Sequence, residues 1–217
     1  MNIVNLPANQ LVAYVQAQIK HFFPTGDDPQ LALIDTHCAA ALKRLDTCVS
    51  QVKLWTPGQF DILHSSQYCT FLYYLSHTIW RAEQARSVCT KLFLLNKALN
   101  GIDCFYEIEL PEVFFIGHSV GIVLAKATYG NHLVLYQNST VGKNHGIAPV
   151  LEDGVILYPN TAVIGKCQIG RRSVISQGVS VINQNTKANS LVFQGPSRGL
   201  LIKTPKKDIL ADFFRDV

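Results

Sequence analysis

Between residues 151 and 181 the chain repeats with a strict period of six. An aliphatic side chain occurs at every sixth position, and a small or β-branched residue follows it four positions later. A helix repeats near 3.6 residues and a strand near 2, so neither explains this period. It fits a chain that coils as a triangular prism, with three short strands per turn and one inward side chain from each corner. The first column is Leu151, Leu157, Val163, Ile169, Ile175 and Val181, and the second is Val155, Thr161, Cys167, Ser173 and Val179.

The six-residue step extends upstream with one polar exception, Thr128; its aliphatic positions there are Leu110, Ile116, Ile122 and Val134. Val134 and Leu151 are 17 residues apart, which is not a multiple of six. The coil must therefore be interrupted, and we expect the segment 142–149, which contains glycine and proline, to protrude as a loop. Beyond residue 181 the ladder fades, and we expect a short strand over 190–194 and a small helix over 208–215.

The first hundred residues have the apolar spacing of helices. We predict helices over about 11–23, 28–52, 59–79 and 81–98, with Asn100-Gly101 ending the last one. The predicted fold class is therefore α+β. It comprises an N-terminal α-helical domain over 1–100, a left-handed parallel β-helix of hexapeptide repeats over 101–203, and a C-terminal tail over 204–217.

Composition argues against several classes of function. The net charge is only +4, and the basic residues are too sparse to form a nucleic-acid-binding surface. The six cysteines lack a Cys-x-x-Cys spacing, so they predict neither a zinc site nor a disulfide framework. The longest apolar stretch, 110–124, is too short to span a bilayer, and the N-terminus lacks the pattern of a signal peptide. We expect a cytoplasmic protein with no metal, nucleic-acid or membrane partner. The low charged content, 16%, suggests that other subunits cover part of its surface.

A helical first third followed by a β-helix resembles the serine acetyltransferases of the hexapeptide-repeat acyltransferase superfamily. The segment His118-Ser-Val-Gly-Ile-Val resembles the family's His-Ala-Thr-Gly-Ile-Val, and Asp103 precedes His118 by the family's 15-residue spacing. Three further segments resemble segments of the family less closely: residues 76–80, 163–170 and 193–198. The resemblance implies O-acetyl transfer from acetyl-CoA and a place in cysteine biosynthesis.

The chemistry of acyl transfer suits the same two residues. Transfer from a thioester to a hydroxyl needs a base that takes the hydroxyl proton as the oxygen attacks, and histidine has a pKa near neutrality. A carboxylate on the other ring nitrogen would fix the tautomer and stabilise the imidazolium. One coil is about 18 residues, so we expect Asp103 and His118 to lie nearly above one another. His118 is the candidate general base and Asp103 its orienting carboxylate; the alternatives are a structural histidine and a turn aspartate.

The resemblance also implies where acetyl-CoA would lie, in a groove between two β-helices of a homotrimer, with a dimer of trimers as a further option. Small residues let a pantetheine arm approach the coils, and a glycine would shape the last coil. Two basic residues could meet the CoA phosphates or be solvated surface charges. The candidate cofactor-binding residues are Gly142, Gly165, Ser176, Gly178, Gly195, Arg198 and Lys203.

The chain departs from the family on the acceptor side. The serine enzymes carry an aspartate directly before the catalytic histidine, where this chain has Gly117, and Arg-His before the loop proline, where it has Ile147-Ala148. The resemblance implies that those groups hold the ends of the amino acid; His145 is a candidate replacement, or an exposed loop histidine. The leading hypothesis is an acetyl-CoA-dependent O-acetyltransferase of serine acetyltransferase type. The alternatives are an enzyme that acetylates a sugar or nucleotide-sugar in polysaccharide biosynthesis, and a non-catalytic β-helix scaffold.

Overall fold

Four helices form the N-terminal part of the computed structural model, which describes residues 1–196 and 199–217. They are α1 (Leu11–Phe22), α2 (Ala32–Gln51), α3 (Ser65–Glu83) and α4 (Arg86–Asn100). α4 ends at Gly101, whose φ of 66° is the left-handed conformation that favours glycine, and whose N–H donates to the Lys97 carbonyl. α2 and α4 both pack on α3. No helix within these residues combines the length and the apolar character needed to cross a membrane.

The prediction of a helix from residue 59 is wrong. Residues Gln59–Asp61 form strand β2, which pairs in parallel with β1 (Asn2–Val4). The side chain of Phe60 is fully buried while its two neighbours face outward, which is the alternation of a strand and not of a helix. The boundary between α3 and α4 also lies later than predicted, at Gln84, which adopts a left-handed φ of 50°.

A parallel β-solenoid of about five turns follows the helices. Its strands are β3 (Asp103–Cys104), β4 (Phe114–Ile116), β5 (Val123–Leu124), β6 (Thr128–Tyr129), β7 (Leu133–Leu135), β8 (Thr140–Gly142), β9 (Val150–Leu151), β10 (Ile156–Leu157), β11 (Ala162–Ile164), β12 (Gln168–Ile169), β13 (Val174–Ile175), β14 (Ser180–Ile182), β15 (Leu191–Gln194) and β16 (Leu200–Lys203). The first sheet contains β4, β7, β10, β13 and β15, with β16 antiparallel at its edge. The second contains β3, β5, β8, β11 and β14, and the third β6, β9 and β12.

Both six-residue columns between 151 and 181 point into the solenoid, and every member is buried. The predicted α+β architecture is therefore confirmed. The predicted upstream period does not hold at Ile122, Val134 and Thr128. Leu124 pairs with Val141 and Leu135 with Leu157, so these leucines stand in register with the first column. Thr128 faces outward, and its neighbour Tyr129 pairs with Leu151. The tyrosine ring fills the core there, and its hydroxyl donates to the Ala125 carbonyl at 2.7 Å.

The interruption expected between 142 and 149 is a tight turn. Asn144 and Ile147 exchange backbone hydrogen bonds at 3.0 Å, and the two residues between them, His145 and Gly146, have φ values of 47° and 79°. Positive φ at both central positions is typical of the turns that connect hairpins. Thr140 pairs with Ala162 and Ala162 with Ser180, so this coil is four residues longer than the next.

Two tyrosines of α3 fix the helical part to the solenoid. The Tyr73 hydroxyl donates to the Ile108 carbonyl at 2.7 Å, and the Tyr74 hydroxyl to the Glu112 carbonyl at 2.9 Å. Both rings pack on Phe114, a fully buried residue of the first sheet. Because these contacts are buried, the two parts share one hydrophobic core.

Residues 208–217, here called the C-terminal strap, return from the solenoid to the end of α2. The helix predicted for this segment is reduced to a 3-10 turn over Leu210–Asp212. Phe213 and Phe214 are buried, and the Lys53 N–H donates to the Phe213 carbonyl at 2.8 Å. The segment pairs with main chain beyond α2, and a longer helix would remove those partners.

Candidate functional site

His118 lies at a corner of the solenoid, in the segment that connects β4 of the first sheet to β5 of the second. Its side chain is exposed. The backbone on both sides is fixed: the N–H of Gly117 donates to the Leu135 carbonyl at 2.9 Å, and the buried Ser119 hydroxyl donates to the Asn100 carbonyl at 2.7 Å. The imidazole is therefore exposed to solvent, while hydrogen bonds fix the backbone on both sides of it.

The residues that directly follow β4, β7, β10 and β13 stack along this corner. They are Gly117, Tyr136, Tyr158 and Ser176, here called the corner column, and each stands one coil above the last because the strands pair in register. The rings of Tyr136 and Tyr158 are 5.6 Å apart at an angle of 33°. Tyr136 also lies over Gly117: a Cβ placed on this glycine would be 2.5 Å from the tyrosine Cε1. The tyrosine ring thus occupies the space of a side chain at position 117.

A cavity of about 260 Å³ opens beside His118, between the solenoid and the helical part. The solenoid contributes the rings of Phe115 and Tyr136, whose centroids lie 6.3 Å apart. The helical part contributes Trp55, which is buried and meets Phe115 edge-on at 5.6 Å. Three aromatic rings therefore form much of the wall.

Polar groups from the segment around the start of α3 complete the cavity. His64 packs edge-on against Trp55 at 6.2 Å and is exposed. The hydroxyl of Ser66 lies at the base, where it donates to the Gly117 carbonyl at 3.2 Å. Burial raises the pKa of Tyr136, with a further rise from the neighbouring Tyr158 ring, so its phenol is neutral at physiological pH.

The C-terminal strap supports the aromatic wall from behind. The Phe213 ring lies 5.9 Å from Phe115 and 6.2 Å from Tyr136. The Arg215 guanidinium donates to the carbonyls of Ser50, Val52, Lys53 and Trp55. These carbonyls lie at and beyond the C-terminal end of α2, where unpaired backbone oxygens attract a cation.

Asp103 does not lie above His118 as expected. It pairs with Val123, five residues further along, because the first coil is longer than a regular one. Its carboxylate accepts a hydrogen bond from Lys97 Nζ at 2.7 Å, and no hydrogen bond joins Asp103 to His118. The Lys97–Asp103 ion pair was not predicted, because the spacing argument considered only the solenoid and Lys97 belongs to α4.

The candidate cofactor-binding residues are distributed over three places. Gly142 and Gly165 are neighbours at the corner between the second and third sheets, where the Gly165 N–H donates to the Gly142 carbonyl at 3.0 Å. Ser176 and Gly178 lie at the His118 corner, three coils above it. Gly195 and Lys203 belong to the β15–β16 hairpin, and the exposed Lys203 ammonium lies 5.5 Å from the Phe193 ring. Arg198 lies outside the described residues.

Of the two acceptor-side candidates, the structure brings only Gly117 to the cavity. His145 is exposed at the tip of the turn, at a different corner of the solenoid. Sequence reasoning missed Trp55 and Tyr136. Tyr136 could have been found, since it follows His118 by one regular coil, whereas no sequence signal connects Trp55 to this corner. Within residues 1–196 and 199–217, no group of three or more His, Cys, Asp or Glu side chains could hold a metal ion.

The chain is similar in sequence to a curated serine acetyltransferase and in fold to solved ones. No family profile matches the chain. A serine acetyltransferase of Synechococcus elongatus is 28% identical over 128 residues, which are 55% of this chain and 51% of that protein. The chain thus spans about half the length of the curated relative it matches.

Solved structures extend the comparison over nearly the whole chain. A Neisseria gonorrhoeae serine acetyltransferase superposes with a TM-score of 0.72 at 16% identity, covering 93% of this chain and 80% of that one. A soybean serine acetyltransferase complexed with serine superposes with a TM-score of 0.62 at 16% identity, covering 91% and 78%. At these identities the structures establish the fold. In sequence and in fold, the chain is similar to serine acetyltransferases.

Proposed function

We propose that the chain is an acetyl-CoA-dependent O-acetyltransferase related to the serine acetyltransferases, with His118 as the general base. The observation that carries the proposal is the exposed His118 imidazole at the opening of a cavity between the helical part and the solenoid. An imidazole in this position can accept a proton from a molecule bound in the cavity. The similarity to serine acetyltransferases supports the reaction class.

The proposed reaction transfers one acetyl group to the acceptor oxygen, and the proton of the acceptor hydroxyl ends on the sulfur of CoA. The acceptor hydroxyl gives its proton to the neutral imidazole of His118 while its oxygen attacks the thioester carbonyl carbon. When the tetrahedral intermediate collapses, the carbon–sulfur bond breaks and the new ester carbon–oxygen bond remains. The imidazolium then gives its proton to the CoA thiolate. The products are the acetyl ester and CoA.

Asp103 is proposed as a positioning residue for this step. Its carboxylate is bonded to Lys97, so it must exchange that partner to reach the imidazole. We expect Asp103→Asn to lower kcat and to shift the pH profile of kcat, because the imidazolium loses its counter-charge. Lys97→Ala removes the competing partner and is the matched control; it should leave kcat unchanged or raise it.

We further propose that acetyl-CoA lies along the coils near Gly142, Gly165, Ser176 and Gly178, and that the protein is a trimer. Outward-facing apolar side chains on the second sheet support a subunit contact: Val123 is 45% exposed and Ile182 48% exposed. Light scattering should give three times the monomer mass of 24.1 kDa. A monomer would contradict a donor site shared between subunits.

The first test is acetyl-CoA binding by calorimetry, followed by CoA release with a thiol reagent and a panel of hydroxyl acceptors that includes L-serine. All six cysteines are buried, and burial raises the pKa of Cys38 and Cys48 to about 11, so the native protein should give little background. We expect release that His118→Ala lowers by about 100-fold or more, while the exposed His145→Ala retains it. A protein that binds no acetyl-CoA would favour the scaffold instead.

A further inference from the structure

The acceptor side of the cavity has no room for a charged side chain before His118. A Cβ on Gly117 would meet three atoms of the Tyr136 ring between 2.5 and 2.9 Å. The ring is held in place on both sides, by Tyr158 in the next coil at 5.6 Å and by Phe213 of the C-terminal strap at 6.2 Å. Movement of the ring away from position 117 would change its contacts with these two neighbours. Position 117 therefore presents an aromatic surface to a bound molecule.

The rest of the wall is also uncharged. Trp55, Phe115 and Tyr136 supply apolar ring surface, and the polar contributions are the Ser66 hydroxyl and the imidazoles of His64 and His118. Among the described residues that line the cavity there is no aspartate, glutamate, lysine or arginine. Lys97 and Asp103 are bonded to each other outside it. The lining thus offers hydrogen bonds and apolar surface, but no fixed charge.

An amino acid is a poor match for such a lining. Both its ammonium and its carboxylate would lose water, and an ion removed from water without a partner is costly. A sugar is a better match, because its hydroxyls are neutral and can bond the imidazoles, while its C–H face can pack against aromatic rings. The cavity, about 260 Å³, is close to the lower end of the roughly 300–1,000 Å³ range of small-molecule pockets.

We propose that the acceptor of His118 is the hydroxyl of a neutral sugar, packed against Tyr136 and Trp55, and not a zwitterionic amino acid. This inference rests on the proposed acetyltransferase function and specifies its acceptor. Tyr136 is then the residue that sets acceptor class, because its ring fills the space in which a carboxylate at position 117 would stand.

The decisive experiment compares L-serine with four methyl glycosides, those of glucose, galactose, mannose and N-acetylglucosamine. Acetyl-CoA binding is measured first, so that failure of the donor site is recognised separately as failure of the proposed function. With a protein that binds acetyl-CoA, we expect CoA release with at least one glycoside, dependent on His118, and at least about 10-fold less with L-serine. Release with L-serine that equals or exceeds that with every glycoside would overturn the inference, as would release with no glycoside.

A variant of the wall tests the assigned residue. Tyr136→Ala should raise KM for the active glycoside about 10-fold with little change in kcat, since packing of the sugar is equal in the ground and transition states. The affinity for acetyl-CoA should not change. Tyr136→Phe, which keeps the ring, is the matched control and should keep the wild-type KM. An unchanged KM in a folded Tyr136→Ala protein, checked by circular dichroism, would contradict the assignment.

Discussion

Arg215 Nη2 donates a hydrogen bond to the backbone carbonyl of Trp55 at 3.0 Å, so a residue of the C-terminal strap holds the main chain of the cavity wall. The same guanidinium bonds three more carbonyls, those of Ser50, Val52 and Lys53. In one side chain it satisfies oxygens that the end of α2 leaves without helical partners. The strap therefore connects the stability of the helical part to the shape of the candidate site.

Arg215→Ala should lower the free energy of unfolding by about 1–3 kcal/mol, because several backbone oxygens lose a charged donor. The control is Lys207→Ala, which breaks an exposed pair with Asp212 and should cost less than about 1 kcal/mol. Urea denaturation of the two variants and the wild type measures both effects. Equal values for the two variants would show that the guanidinium does not hold the end of α2.

Phe213 and Phe214 offer a comparison between a residue that touches the site and one that does not. Both are buried, so truncation of either to alanine should cost about 3–5 kcal/mol. Phe213 packs on Phe115 and Tyr136, whereas Phe214 packs on His132 at 5.0 Å. We therefore expect Phe213→Ala also to raise the acceptor KM, and Phe214→Ala to leave the KM of the folded protein near wild type. Steady-state kinetics below the unfolding transition test this, and a KM near wild type for both variants would show that the strap plays no part in the cavity.

Gly117 and Tyr136 should be coupled in stability. Gly117→Ala forces a methyl group into the tyrosine ring, and overpacking of this kind costs about 1–3 kcal/mol. In a Tyr136→Ala background the space is free, and the same substitution should cost much less. A double-mutant cycle by urea denaturation gives the coupling energy directly. Additive effects would mean that the ring moves aside freely, which would also weaken the sugar assignment.

Acidification should destabilise the protein through His77. This side chain is 1% exposed; its Nδ1 lies 2.9 Å from Arg44 Nη1, and its Nε2 lies 3.1 Å from Glu109 Oε2. Burial and the Arg44 charge lower the pKa of His77 below the ordinary 6.5, against the opposing effect of Glu109. The unfolded chain therefore binds more protons below pH 6.5, and stability falls as the pH drops from 6.5 toward the folded pKa.

The test is the free energy of unfolding between about pH 8 and about pH 5. His77→Gln should give a shallower loss on acidification than wild type, whatever its stability at the upper end. His132, whose pKa is also lowered by burial, contributes in the same direction, so some slope should persist in the variant. An identical slope in wild type and His77→Gln would exclude His77 as a source.

Much of the solenoid was predictable because each coil repeats the local geometry of the last. Leu157 and Ile175 pair in register on neighbouring coils, and both side chains point into the solenoid. Because equivalent positions on each side of successive coils need the same kind of side chain, the sequence repeats every six residues. The prediction was wrong where the spacing of inward residues departs from six, as between Leu124 and Tyr129, and where a strand formed with a distant partner, as at Gln59–Asp61. In those places the deciding contact is not periodic.

The sequence by itself determined the coiled architecture and its interruption between residues 142 and 149. Each depends on residues close together in the chain, through side-chain period or a left-handed backbone. Only the tertiary structure decided that Trp55 faces Phe115, that Asp103 bonds Lys97 and that Arg215 holds a carbonyl 160 residues away. Such contacts arise from packing between segments that are distant in sequence, and they leave no periodic pattern in the amino-acid sequence.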